Sequence, residues 1–102
     1  MLYKFRSKAA GDVIMLGSNG DQMLRLLGRE PAPQGIIEVP HMAAAIAALQ
    51  AAVQADEAAR AEAERDGRSS ALKEVALRQR VWPMVDMMTR SAKADEPIVW
   101  GV

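Results

Sequence analysis

The chain has 102 residues, half of them apolar, with thirteen basic and thirteen acidic side chains and no cysteine. That length suits one domain with one core, and the lack of cysteine excludes disulfides and thiol chemistry. A formal net charge of zero argues against a non-specific nucleic-acid binder, which must neutralise many phosphates, and against a polybasic membrane anchor.

Leu2 to Ser7 alternates, with Tyr3 and Phe5 on one face and Lys4 and Arg6 on the other, which predicts a half-buried strand. Its basic stripe of Lys4, Arg6 and Lys8 reads as a solvated face or as protection of a sheet edge. Ala9 to Asp12 reads as a turn, and Val13-Ile14-Met15-Leu16 as a second strand closing a hairpin. Gly17-Ser18-Asn19-Gly20-Asp21 offers polar candidates for a helix cap. Met23, Leu24 and Leu27 mark the apolar stripe of the short helix that follows, and Gly28 is placed to end it.

Pro31 and Pro33 stiffen a connector before a third short strand, Ile36 to Val39, and Pro40 punctuates the start of a long helix. In that helix Met42, Ile46, Leu49 and Val53 share a face. Bulky apolar side chains then give way to alanine until Gly67-Arg68-Ser69-Ser70, which reads as a stop, a turn and a cap. A last helix carries Leu77, Val81, Met84 and Met88 on one stripe, with Trp82 and Val85 beside it. That breadth predicts contact on more than one side. Pro83 within this helix leaves the Gln79 carbonyl unpaired and predicts a kink. Asp95-Glu96-Pro97 ends the helix, and Ile98-Val99-Trp100 reads as a final strand.

The predicted order is therefore β-β-α-β-α-α-β, an α+β fold with a small, mostly antiparallel sheet and a long antiparallel helical hairpin on one face. The hairpin spans residues 41–93, and its outer part, about 54–80, forms a thin arm tipped by Gly67. Pairing about that glycine sets Val53 against Val81, Ala59 against Val75 and Ala63 against Ala71. Acid-to-base pairs four apart, Asp56 to Arg60 and Glu64 to Arg68, support the arm, and Asp86 to Arg90 supports the last helix.

Candidate chemistry is sparse. Gly17, Ser18, Asn19 and Gly20 ahead of a helix resemble a phosphate cradle, with Lys4, Arg6 or Arg25 as possible cations, but the P-loop lysine and the full GxGxxG spacing are missing. His41 is the only histidine, so both a metal site and a Ser-His-acid triad would have to be built around it. No catalytic, metal or cofactor-binding residues are assigned, and no cofactor is expected. The leading expectation is a non-enzymatic interaction protein acting through protein contacts, including self-association. The alternative is a binding module for a small anionic or nucleotide-like ligand. With no basic leader and no long apolar run, the expected address is cytoplasmic, with no membrane partner.

Met1 to Ala9, Ile14-Met15-Leu16-Gly17, Leu24 to Gly28, Gly35-Ile36-Ile37, Arg80 to Met88 and Pro97 to Trp100 together resemble a family of small, uncharacterised proteobacterial proteins, a domain of unknown function. The resemblance spans almost the whole chain, and Trp82-Pro83 is its most distinctive part. It implies a complete single-domain bacterial protein and carries over no catalytic or binding residues.

Overall fold

A computed structural model describes residues 2–67 and 76–101. The elements run β1 (Leu2–Ser7), β2 (Ala10–Leu16), α1 (Gly17–Leu26), β3 (Gly35–Ile37), α2 (Val39–Arg65), α3 (Leu77–Lys93) and β4 (Ile98–Trp100). This is the α+β order expected from the sequence. The strands form one sheet in the order β2-β1-β4-β3, and every neighbouring pair is antiparallel.

Several boundaries move, each for a local reason. The β1–β2 turn is Lys8-Ala9, not Ala9 to Asp12, because the register shifts between Phe5 and Ser7 and brings Ala10 opposite Ser7. Residues 17–21 are not a loop: α1 starts at Gly17, directly after β2. Val39 belongs to α2 rather than to β3. β1 lies inside the sheet, so its basic stripe protects no edge; Lys4 pairs instead with Asp12 at 3.5 Å.

One face of the sheet carries the core. Tyr3, Phe5, Ile37, Ile98 and Trp100 point into it and meet Met23 and Leu24 of α1, Met42, Leu49 and Val53 of α2, and the Leu77, Val81, Met84, Met87 and Met88 face of α3. The methionines of α3 are core filler, since Met adapts its shape to irregular gaps. In α2, Ala45 is buried and Ile46 only partly so, a small rotation of the expected stripe.

Local chemistry fixes the ends. Arg29 N–H donates to the Leu24 carbonyl at 2.8 Å and Gly28 N–H to that of Arg25 at 3.0 Å, with Gly28 at φ 81°, a left-handed stop that glycine adopts without strain. The Trp100 indole N–H donates to the Ala32 carbonyl at 2.9 Å and ties the proline connector to β4. The Ser7 and Ser91 hydroxyls lie 2.7 Å apart and join β1 to the buried end of α3. α3 runs through Pro83 to Lys93.

The base of the hairpin has the expected register. Arg78 Nε donates to Glu57 at 2.7 Å, and the Leu77 backbone N–H donates to Asp56 Oδ2 at 3.2 Å. Asp56 also accepts from Arg60 Nε at 3.0 Å. A carboxylate at the opening of α3 satisfies an otherwise orphan amide and complements the helix dipole, so α2 caps α3 from outside. α2 continues to Arg65 and ends with Gly67 at φ 74°. The Ala59–Val75 and Ala63–Ala71 pairings, the Glu64–Arg68 pair and the Ser69-Ser70 cap lie outside the described residues.

Candidate functional site

The helices cover only one face of the sheet, and the other face is built from the outward-pointing half of each strand. On an open antiparallel sheet these positions are ordinarily polar. Here Leu2 stands opposite Leu16, Ile14 opposite Lys4, and Ile36 opposite Val99, which in turn pairs with Arg6. Leu2, Ile14, Leu16 and Ile36 are exposed at 63, 61, 63 and 41 %. Two apolar clusters, Leu2/Ile14/Leu16 and Val99/Ile36, therefore flank Lys4 and Arg6 on one surface. Clustering of this kind, unlike a scattered exposed leucine, marks a contact surface. The unbroken apolar run Val13 to Leu16 was its signal in the sequence. Only inward residues are needed for the core, so a strand apolar at every position has a second face to account for.

The fifth large exposed hydrophobic among the described residues, Trp82, lies on α3 in the helical layer at 61 % exposure. The wide apolar surface expected of α3 does make contact on two sides, against α2 and against β2, with Val81 buried and Val85 half-buried, while Trp82 beside them is left largely exposed. Trp82 forms one wall of a shallow groove of about 360 Å³ between α2 and α3, floored by Val53, Val81 and Val85.

The residues proposed for an anionic ligand are separated. Gly17, Ser18 and Asn19 form the first turn of α1, which has no side-chain cap and no acidic residue. Gly20 is buried beneath the Tyr3 ring, and a Cβ there would sit 2.0 Å from Tyr3 Cδ2. Lys4 and Arg6 belong to the outer face of the sheet, and Lys4 is engaged with Asp12 near the opposite end of β2 from α1. Arg25 is exposed one helical turn beyond Asp21. Glycine at position 20 thus answers to a packing demand.

Tyr3 also bonds the Asp21 carboxylate through its hydroxyl. That bond, reinforced by burial, raises the phenol above its ordinary value of 10.0, with Arg25 opposing in part. The native state holds this proton more tightly than the unfolded chain does. The stabilisation is therefore complete below about pH 10 and drains away as pH rises from there through the folded value. Tyr3 is the only tyrosine, so absorbance titration reads it alone. We expect a midpoint above that of a model phenol, and a fall in melting temperature above about pH 10 that is smaller in Tyr3→Phe. A free-phenol midpoint in the native protein would contradict the bond.

Among the described residues, no group of three metal-ligating side chains converges, and no helix is long and apolar enough to cross a membrane. His41 is exposed beside Pro40 at the start of α2. No curated protein and no solved structure matches the chain. One family model does match, over residues 1–100, and the chain belongs to that family, the domain of unknown function DUF1840.

Proposed function

We propose that this is a small bacterial cytoplasmic protein, of proteobacterial type, that acts without catalysis by docking a partner polypeptide on the outer face of its sheet. The observation that carries this reading is the apolar patch of Leu2, Ile14 and Leu16, exposed on strands that already have a complete core on their other side. Large exposed side chains on a flat, regular surface offer burial of roughly 25 cal/mol per Å² to whatever covers them. The exposed Arg6 beside them favours a partner that brings an acidic residue alongside apolar ones, Lys4 being already matched by Asp12.

Ile14→Lys and Leu16→Lys, made together, test this. Both positions are solvated, so the fold should tolerate them within about 0.5 kcal/mol each. A protein recovered with the native chain from bacterial lysate and lost with the double variant supports the reading. A partner retained at full yield by the double variant refutes it. The alternative, a small anionic ligand at the uncapped start of α1, has less support, because Lys4 and Arg6 do not converge there. Inorganic phosphate or nucleotides raising the melting temperature of the native chain but not of Arg25→Glu would favour it.

A further inference from the structure

We infer that α3 is a self-association helix, and that two copies of this chain cross antiparallel about Trp82 on a two-fold axis. The surface involved lies in the helical layer and not on the sheet face, and this inference stands independently of that reading. It begins with the row that α3 presents to solvent. Arg78, Trp82 and Asp86 are spaced four apart and line one ridge, directly away from the buried Met84, Met87 and Met88. The ridge is open: Trp82 is 61 % exposed, and the Arg78 and Asp86 side chains are 67 and 42 % exposed.

The order of residues along the ridge identifies the occupant. Read in one direction it is basic, aromatic, acidic; read in reverse it is acidic, aromatic, basic. Two such ridges laid antiparallel set Arg78 of each copy beside Asp86 of the other and bring the two indoles together at the axis. Packing i±4 ridges against each other is the commonest way helices cross, at about 50°. A two-fold contact requires this kind of self-complementarity, in which each pairing occurs twice. A parallel arrangement in register would instead oppose arginine to arginine and aspartate to aspartate.

The charges on either side extend the match. Within one chain Arg78 pairs with Glu57 on α2, and Asp86 pairs with Arg90 at 3.1 Å. Across the axis these join as Glu57, Arg78, Asp86 and Arg90, alternating in sign through two copies. Beside Trp82, the groove floored by Val53, Val81 and Val85 offers each indole an apolar wall. Tryptophan and arginine are the side chains that most often carry interface energy. The ridge is short, so the association is reversible and concentration-dependent, not obligate.

Sedimentation equilibrium of the full chain, with circular dichroism to verify each fold, tests this directly. The native chain should show a monomer–dimer equilibrium, and Trp82→Ala should weaken it by ~30-fold or more. Arg78→Glu and Asp86→Arg, each alone, should weaken it by roughly tenfold, since each sets like charges together at both symmetric contacts. Combined in one chain, the two reversals should dimerise more tightly than either alone though less tightly than native, because the pairing across the axis is remade with its signs exchanged while Glu57 and Arg90 now sit beside like charges. Fluorescence gives a second readout. Trp100 is 3 % exposed and Trp82 61 %, so a red shift on dilution reports Trp82 leaving the interface. A strictly monomeric native chain, a dimer indifferent to Trp82→Ala, or a double reversal as weak as either single one would each overturn the inference. A dimer that survives Trp82→Ala but is lost on Ile14→Lys would also overturn it, and would assign self-association to the sheet face.

Discussion

Phe5→Ala is expected to lower the stability of the fold by about 3–5 kcal/mol, the largest single effect predicted here. Phe5 is 0 % exposed and sits on the strand that pairs with neighbours on both sides. Its ring stacks on Tyr3 at 5.8 Å and 6°, and meets Trp100, tilted by 56°, at 5.5 Å. Truncation leaves a void bounded by two large rings that are themselves held, Tyr3 by Asp21 and Trp100 by the Ala32 carbonyl. Neither can swing in to fill it, which places the cost at the upper end of the usual range. Against a total of about 5–15 kcal/mol for a domain of this size, the urea midpoint should fall by a third or more. Phe5→Leu, which keeps most of the volume, should cost well under half as much. Equal losses from the two variants would show that the aromatic stack contributes through geometry and not through filled space.

Gly20→Ala should cost about 2 kcal/mol net, even though alanine favours helices over glycine by roughly 1 kcal/mol. The added methyl would lie 2.0, 2.6 and 2.7 Å from three atoms of the Tyr3 ring, which is 97 % buried and cannot move aside cheaply. Either α1 lifts from the sheet or the ring leaves the stack on Phe5. A loss of roughly 4–8 °C in melting temperature per kcal/mol makes this readable by calorimetry. Gly11→Ala supplies the contrast, since nothing lies within 4 Å of its would-be Cβ. In the background of Tyr3→Leu, which removes the ring, Gly20→Ala should lose most of its penalty or become favourable. Additive losses in that pair would place the cost elsewhere than in the contact between α1 and β1.

The regular part of the architecture was legible because it depends on periodicity. Alternation placed Tyr3 and Phe5 inward, and the three- and four-residue spacing of α3 put Val81, Met84 and Met88 in the core. What escaped depends on partners distant in sequence. Gly17 to Asp21 has the composition of a loop, and only the Tyr3 ring arriving from β1 explains a glycine inside a helix at position 20. Asp56 was visible as the partner of Arg60, but its role at the start of α3 required knowing that the helix opens at Leu77. Trp82 looked like packing because aromatic residues beside an apolar stripe usually are; nothing in the sequence says that its ring is left largely exposed beside α2. The outer sheet face was hidden differently. A run in which every residue is apolar does not say which half of it the core uses.

The order β2-β1-β4-β3 bears on how the chain comes off the ribosome. β1 is made first of the seven elements and β4 last, yet they are neighbours at the centre of the sheet, with Phe5 opposite Trp100. β3 touches the sheet only through β4. Until Ile98 to Trp100 emerge, β3 has nothing to pair with, and the β1–β2 hairpin has one side open beneath half-assembled helices. Closing so long a loop slows folding relative to a helical bundle of the same size. From the making of β1 to the making of β4 the central backbone edge of the sheet is therefore unsealed, and three residues, Ile98 to Trp100, seal it in one step.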